Sequence, residues 1–396
     1  MKTYLFPGQG SQIKGMGGDL FDEFIDLTKQ ADKILGYSIK DLCLQDSDHK
    51  LNQTQYTQPA LYVVNALSYQ KKVKNKQKLP DFVIGHSLGE YNALYAAEVF
   101  SFEDGLKLVK KRGELMSKAK NGGMAAIINS SEKQIQEILK KANLEAIDIA
   151  NFNSPNQIVI SGLKDDINEV QSHFQKAGVM FIPLNTSGAF HSRYMKEAEE
   201  EFEKFVKKIK FSAPKIPVIA NVTGKPYEFK KVASCLVSQI SNSVKWTDSI
   251  TYLLTQGEMQ FEELGVGDVL TKLVESIKKD FNSNKEKIEV LGEQKSGVDE
   301  AEPINSQLDN SEVTKKTDSK IKVKHKEQGT LLDPKELVEK WNKTYPIGTK
   351  VISDNYDNIL ETRTEAILLF GHRAAVYMKE YNGYFDLREI KPVESE

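Results

Sequence analysis

The sequence predicts a mixed α/β fold in which a small four-stranded unit interrupts a larger α/β one, followed by a charged linker and a small β-rich module. Three observations carry this. Residues 124–186 alternate strand-like and helix-like runs in the order β-α-β-β-α-β. On either side, short apolar runs alternate with helix-forming stretches. Residues 282–330 are dense in Lys, Glu, Ser, Asn and Asp and almost free of aromatics, a composition that cannot bury a core.

In chain order, a short strand YLF ends at Pro7, and DFVIG at 81–85 reads as a second strand leading into the helix YNALYAAEVF. Ser101 and Asp104 form a capping pair that opens the helix FEDGLKLVKKRGELMSKA. The nested unit runs MAAIIN, SEKQIQEILKKA, AIDIANFN, QIVISG, DDINEVQSHFQKAG and VMFIPLN, an order that is ferredoxin-like, with two helices on one face of four strands. IPVIANV at 216–222 reads as a further strand of the larger part. After the linker, Asp333 caps a helix with Pro334 at its first position and Glu336 completing a capping box. The β-like runs GTKVIS, EAILLF, RAAVYMK and YFDLRE follow, the last two joined across Asn382-Gly383, a strong hairpin signal. The expected organisation is one domain at 1–281, its large subdomain built from 1–122 and 188–281 around an insert at 123–187. A disordered linker at 282–330 and a β-barrel-like module at 331–396 complete it. No repeat of 20–50 residues is visible.

Composition narrows the function. Lys plus Arg number 54 against 56 Asp plus Glu, so the chain lacks the basic footprint of a nucleic-acid binder. No signal-peptide core follows MKTYLFPGQG, and no apolar run of membrane-spanning length occurs, so neither export nor a membrane is expected. Cys43 and Cys235 lie far apart with no neighbouring ligand, which argues against a disulfide framework or a zinc site and fits a reducing, cytoplasmic setting.

Gly85-His86-Ser87-Leu88-Gly89 follows an apolar strand and precedes a helix, the context that a G-x-S-x-G nucleophile elbow requires. The turn presents Ser87 at a helix N-terminus and leaves the Leu88 N–H free to hold an oxyanion. A serine hydroxyl needs a base. Of six histidines, His49, His173, His325 and His372 lie in polar, inserted, linker or module segments, and His86 points away from its neighbour at such a turn. His191, in GAFHS where the insert returns to the larger part, is the remaining candidate; a capping or core histidine is the bland alternative. Arg112 shares a helical stripe with Gly105, Val109 and Met116, so its charge emerges on the apolar side and needs an anionic partner, either an internal carboxylate or a substrate's. The opening FPGQGSQ is not a dinucleotide fingerprint, because no acidic residue ends a second strand about 20 residues on. Its Gly-bounded loop suits a second oxyanion donor, the N–H of Gln9.

With these pieces in place the chain resembles the malonyl-CoA:acyl carrier protein transacylase family over about residues 1–280. The motifs FPGQGSQ, TQPAL, GHSLGEY, KKRGELM, NSPNQIVISG, GAFHS, ANVTGKP and SVKW come in the family's order. The resemblance implies an α/β-hydrolase-like large subdomain with a ferredoxin-like insert and an active site in the cleft between them. It implies Ser87 as the acylated nucleophile, His191 as its base, Arg112 as the group binding the malonyl carboxylate, and the Gln9 and Leu88 amides as oxyanion donors. Gln239 stands where the family orients the histidine with a backbone carbonyl, and Gln157 matches a polar residue near the cleft. Phe190, in Gly188-Ala189-Phe190-His191, is similar to the malonyl-selective H-A-F-H pattern, from which Gly188 departs. The segment GAFHSRYM looks most like the free-standing acyltransferases that serve polyketide synthases, with fatty-acid synthesis as the other pathway. The implied partners are malonyl-CoA as substrate and a phosphopantetheinylated acyl carrier protein or carrier domain; no metal and no resident cofactor is called for. Two other functions fit parts of the chain: an acyl hydrolase clearing stalled acyl groups, in whose relatives the arginine tends to be absent, and a carrier-protein docking scaffold built on 331–396.

Overall fold

Ala125 and Ile127 alternate along one strand and Ile158 and Ile160 along its neighbour, and the two pairs share the face that two helices cover. This is the core of the insert in a computed structural model that describes residues 1–186, 188–295, 333–353, 356–369, 373–379, 384–387 and 390–393. The described chain divides into two units, Met1–Lys285 and Glu286–Glu396.

In the first unit, β1 (Lys2–Phe6) leads through α1 (Leu20–Glu23), α2 (Ile25–Leu35) and α3 (Ile39–Leu44) to the long α4 (Thr54–Lys74). Next come β2 (Phe82–Gly85), α5 (Gly89–Ala96) and α6 (Phe102–Met116), the last capped by Ser101, whose Oγ accepts from the Asp104 N–H. The insert follows as β3 (Gly122–Ile128), α7 (Glu132–Lys141), β4 (Asp148–Ser154), β5 (Gln157–Leu163), α8 (Lys164–Lys176) and β6 (Met180–Pro183). Its sheet order is β4-β5-β3-β6 with antiparallel pairs throughout. Ile135, Ile138 and Leu139 of α7 and Ile167, Val170 and Phe174 of α8 fill its core.

The chain then returns through α9 (Lys196–Val206), the short hairpin β7 (Ile219–Ala220) and β8 (Lys225–Pro226), α10 (Val232–Ser238), α11 (Trp246–Thr255), β9 (Gln260–Glu263) and α12 (Val269–Lys295). A parallel sheet in the order β2-β1-β9 is covered by Trp246, Ile250 and Leu253 of α11 and Leu270, Val274 and Ile277 of α12. The strand expected at 216–222 is shorter than its composition suggests. Pro217 has no N–H to donate, and only its carbonyl and a single bridge from Val218 reach Val83 before the chain turns into β7. The linker expected from 282 is also corrected, since α12 continues through Lys295. NKEKIEVL is rich in good helix formers and carries on the pattern of Leu270, Val274 and Ile277. The rest of that segment, 296–332, lies outside the described residues.

In the second unit, α13 (Pro334–Thr344) starts at Asp333, whose Oδ1 accepts from the Lys335 N–H at 2.9 Å. Strands β10 (Lys350–Ser353), β11 (Tyr356–Glu361) and β15 (Ile390–Pro392) form one antiparallel sheet; β12 (Ile367–Leu369), β13 (Arg373–Tyr377) and β14 (Tyr384–Asp386) form another. Trp341, Val351, Leu360, Val376 and Phe385 meet in its core. The Asn382-Gly383 turn lies outside the described residues, although the strands flanking it pair with Tyr377 opposite Tyr384.

Candidate active site

The turn between β2 and α5 holds Ser87 at φ 52°, in the left-handed region that a side chain rarely adopts. Two glycines make so sharp a turn possible: a Cβ on Gly85 would lie 1.9 Å from the Gly89 carbonyl carbon, and one on Gly89 would lie 2.0 Å from the Phe6 oxygen. Asn221, just after β7, ties the turn from outside. Its Oδ1 accepts the Ser87 N–H at 2.7 Å and its Nδ2 donates to the Gly85 carbonyl at 2.8 Å.

Ser87 Oγ lies 2.8 Å from His191 Nε2. On the far side of the ring, Nδ1 lies 2.8 Å from the Gln239 carbonyl oxygen and 3.2 Å from that of Asn242. Carbonyl oxygens only accept, so Nδ1 carries the proton and Nε2 presents a lone pair to the serine hydroxyl. Burial, reinforced by the nearby charge of Arg112, lowers the His191 pKa to about 3, so the resting imidazole is neutral. His191 also sits at positive φ, 57°.

Arg112 is 1% exposed. Its Nη1 donates to Gln58 Oε1 at 2.7 Å, and Nη2 to Ser87 Oγ at 3.1 Å and Gln239 Oε1 at 3.0 Å. These oxygens are all uncharged, and Nε has no partner among the described residues. The guanidinium is thus a buried cation beside a reactive hydroxyl without a carboxylate in hydrogen-bond reach, an arrangement suited to an incoming anion.

The loop after β1 lies directly against the elbow, since a Cβ on Gly8 would sit 2.3 Å from the His86 oxygen and 3.7 Å from the Leu88 nitrogen. Gln9 follows on that loop, its Nε2 donating to Thr54 Oγ1 at 3.2 Å. Among the described residues, neither the Gln9 nor the Leu88 N–H has a backbone acceptor. Phe190 is buried beside His191, and a Cβ on Gly188 would meet its ring at 2.5 Å, so the departure at 188 is what lets the ring take this position. A cleft of about 1180 Å³ between the insert and the larger part opens onto His191, with Lys140, Arg193, Lys196, Asn242 and Lys245 on its walls.

Gln157 is not part of this constellation. It opens β5 opposite Ser154 and Ile128, and no described hydrogen bond joins it to Ser87, His191 or Arg112. The polar residue of NSPNQIVISG's neighbourhood that reaches the elbow is Asn153, whose Oδ1 lies 2.8 Å from His86 Nε2. A register shift between Phe152 and Ser154 accompanies this placement. Sequence reasoning gave no role to Gln58, Asn221 or Glu90, although TQPAL, ANVTGKP and GHSLGEY each contain one of them.

A strand–serine–helix elbow paired with a buried histidine, set in a larger α/β part around an inserted four-stranded sheet, marks an acyl-transfer enzyme. The model of the acyl transferase domain matches residues 3–317. The chain belongs to the malonyl CoA-acyl carrier protein transacylase family. It is 60% identical over 282 residues, 71% of this chain and 98% of the relative, to the polyketide biosynthesis malonyl CoA-acyl carrier protein transacylase PksC of Bacillus subtilis. It is 58% identical over 286 residues, 72% of this chain and 99% of the relative, to BaeC of Bacillus velezensis, which carries the same description. The crystal structure of malonyl CoA-acyl carrier protein transacylase from Burkholderia pseudomallei covers 70% of this chain and 98% of its own at 51% identity and a TM-score of 0.69.

Proposed function

We propose that this chain moves a malonyl group from malonyl-CoA, through an ester on Ser87, to the phosphopantetheine thiol of an acyl carrier protein in polyketide synthesis. The observation that carries this reading is Arg112, a buried guanidinium bonded to the Ser87 hydroxyl and, among the described residues, to no carboxylate. In the first half-reaction His191 Nε2 takes the Ser87 proton as Oγ attacks the thioester carbonyl, and the Gln9 and Leu88 amides hold the oxyanion. The intermediate collapses with loss of coenzyme A, whose sulfur receives the proton from His191. In the second, the same nitrogen deprotonates the pantetheine thiol, which attacks the malonyl ester, and passes that proton to Oγ as Ser87 leaves. Arg112 holds the malonyl carboxylate throughout, and Phe190 narrows the space beside the α-carbon. Gln239 orients the imidazole through its carbonyl. The chemistry runs on side chains and backbone amides, with malonyl-CoA entering as substrate.

In this reading the larger part of the first unit is α/β-hydrolase-like and the insert ferredoxin-like. Among the described residues no helix is long and apolar enough to cross a membrane, and the unpaired Cys43 and Cys235 support a reducing, cytoplasmic setting. Residues 331–396 form a separate module. Intact-protein mass spectrometry after brief mixing with malonyl-CoA should show a malonyl adduct that moves to an added holo carrier protein, and Ser87→Ala should lower the acylation rate about 10⁴-fold or more. Rapid loss of the adduct to water would instead identify a hydrolase. Deleting 331–396 should leave adduct formation within about twofold of the full chain, because a loss of 1.4 kcal/mol or more, a tenfold effect, would place the module in the acylation step.

A further inference from the structure

Glu90 is a fully buried carboxylate in the first turn of α5, three residues after the serine, and the mechanism above does not use it. Its Oε1 accepts from the Asn221 N–H at 2.9 Å and the Tyr227 hydroxyl at 2.7 Å. Oε2 accepts from Gln239 Nε2. The same Nε2 donates to the Ser87 carbonyl at 2.8 Å. Both hydrogens of the Gln239 amide are therefore taken by groups that only accept, and the amide oxygen is left facing Arg112 Nη2, which only donates. Reversing the amide would set its NH₂ against the guanidinium and its oxygen against the Ser87 carbonyl.

We propose that Glu90 is a positioning residue for acyl selectivity: by fixing the polarity of the Gln239 amide it holds Arg112 in the orientation that receives the malonyl carboxylate. Glu90 acts through Gln239 and touches neither the reacting hydroxyl nor the histidine in the hydrogen-bond network described. The proposal rests on the malonyl-transfer reading and goes beyond it in assigning selectivity to a group outside the substrate's reach.

Glu90→Gln is close to isosteric but brings an NH₂ to a position surrounded by donors. Gln239 can accommodate it only by turning over. In the full chain, the ratio of kcat/KM for malonyl-CoA to that for acetyl-CoA should fall at least about tenfold, as expected for a lost hydrogen bond to a charged group. The fall should appear mainly in KM for malonyl-CoA, with kcat for acetyl-CoA changed less than about twofold. Gln239→Ala, which keeps the backbone carbonyl facing His191, should lower the same ratio by itself. In the Gln239→Ala background, adding Glu90→Gln should change the ratio by less than about twofold, because the intermediary is gone. An equal loss for both thioesters would reduce Glu90 to a structural residue and overturn the proposal. So would an unchanged ratio in Gln239→Ala, whether or not the Glu90 variant folds, and so would a full Glu90→Gln effect in the double variant. Failure of the parent chain to form any malonyl adduct would overturn the malonyl-transfer reading instead, a result distinct from all of these.

Discussion

The elbow around Ser87 and the pocket around Arg112 adjoin each other but are held by different physics. The elbow is a backbone construction: Gly85, Gly89 and Gly8 stand where any Cβ would strike main-chain atoms, and Ser87 keeps its positive φ because those approaches leave the chain no other path. The pocket is a side-chain construction. Gln58 and Gln239 offer oxygens to the guanidinium, and each holds because its amide faces one way and not the other. An elbow of this kind fails sterically and takes the fold with it, whereas a pocket of this kind fails in polarity and leaves the fold standing.

Gly89→Ala tests the first half of that contrast. A methyl 2.0 Å from the Phe6 oxygen must push β1 and α5 apart, and the expected cost is about 3 kcal/mol or more of stability, read as a lower urea midpoint at unchanged slope. Any molecules that remain folded should keep their preference for malonyl over acetyl. Arg112→Ala tests the second half. The kcat/KM for malonyl-CoA should drop by about 3 kcal/mol, a little over a hundredfold, with a much smaller change for acetyl-CoA and a melting temperature close to the parent's. A variant that lost both substrates equally, or that unfolded, would make the arginine a structural cation and erase the distinction between the two regions.

The same contrast explains what was legible in the sequence. The elbow is spelled within five residues, and its strand-then-helix context can be read by eye, so Ser87 and Leu88 stood out from composition and spacing alone. Arg112 could be found because a helical stripe places it among Gly105, Val109 and Met116. The groups that give the pocket its polarity arrive from 54 and 127 residues away, and nothing local says which atom of an amide will face the guanidinium. Asn221 and Glu90 were hidden for the same reason. β9 was missed because QFEE has neither alternation nor β-branched residues, and it is a strand only through its pairing with β1. The extension of α12 was missed because a Lys- and Glu-rich stretch reads equally as solvated chain or as helix until packing of its first turns starts it. Gln157, chosen for its place in a motif, makes no hydrogen bond to Ser87, His191 or Arg112 among the described residues, whereas Asn153, four residues earlier, bonds His86.

The pH dependence of stability sharpens the comparison further, because one group from each region titrates abnormally and the two shifts have opposite sign. Burial, aided by the charge of Arg112, lowers His191 from 6.5 to about 3, while burial raises the Glu90 carboxyl from 4.5 to about 7. For His191 the unfolded chain holds the extra proton, so its contribution is complete above pH 6.5 and is lost as pH falls toward 3. For Glu90 the folded chain holds the extra proton, so its contribution is complete below pH 4.5 and is lost as pH rises through 7. Between 4.5 and 6.5 the two slopes oppose each other and largely cancel. Glu90→Gln uncovers the histidine: relative to the parent, it should lose about 2 kcal/mol as pH falls through that window. His191→Asn uncovers the carboxyl and should gain stability, relative to the parent, over the same fall. Urea unfolding at half-unit steps of pH reads both differences directly. Opposite tilts would establish that burial shifts both groups, and a variant showing no tilt would mean that the group it removes keeps its ordinary pKa in the folded chain.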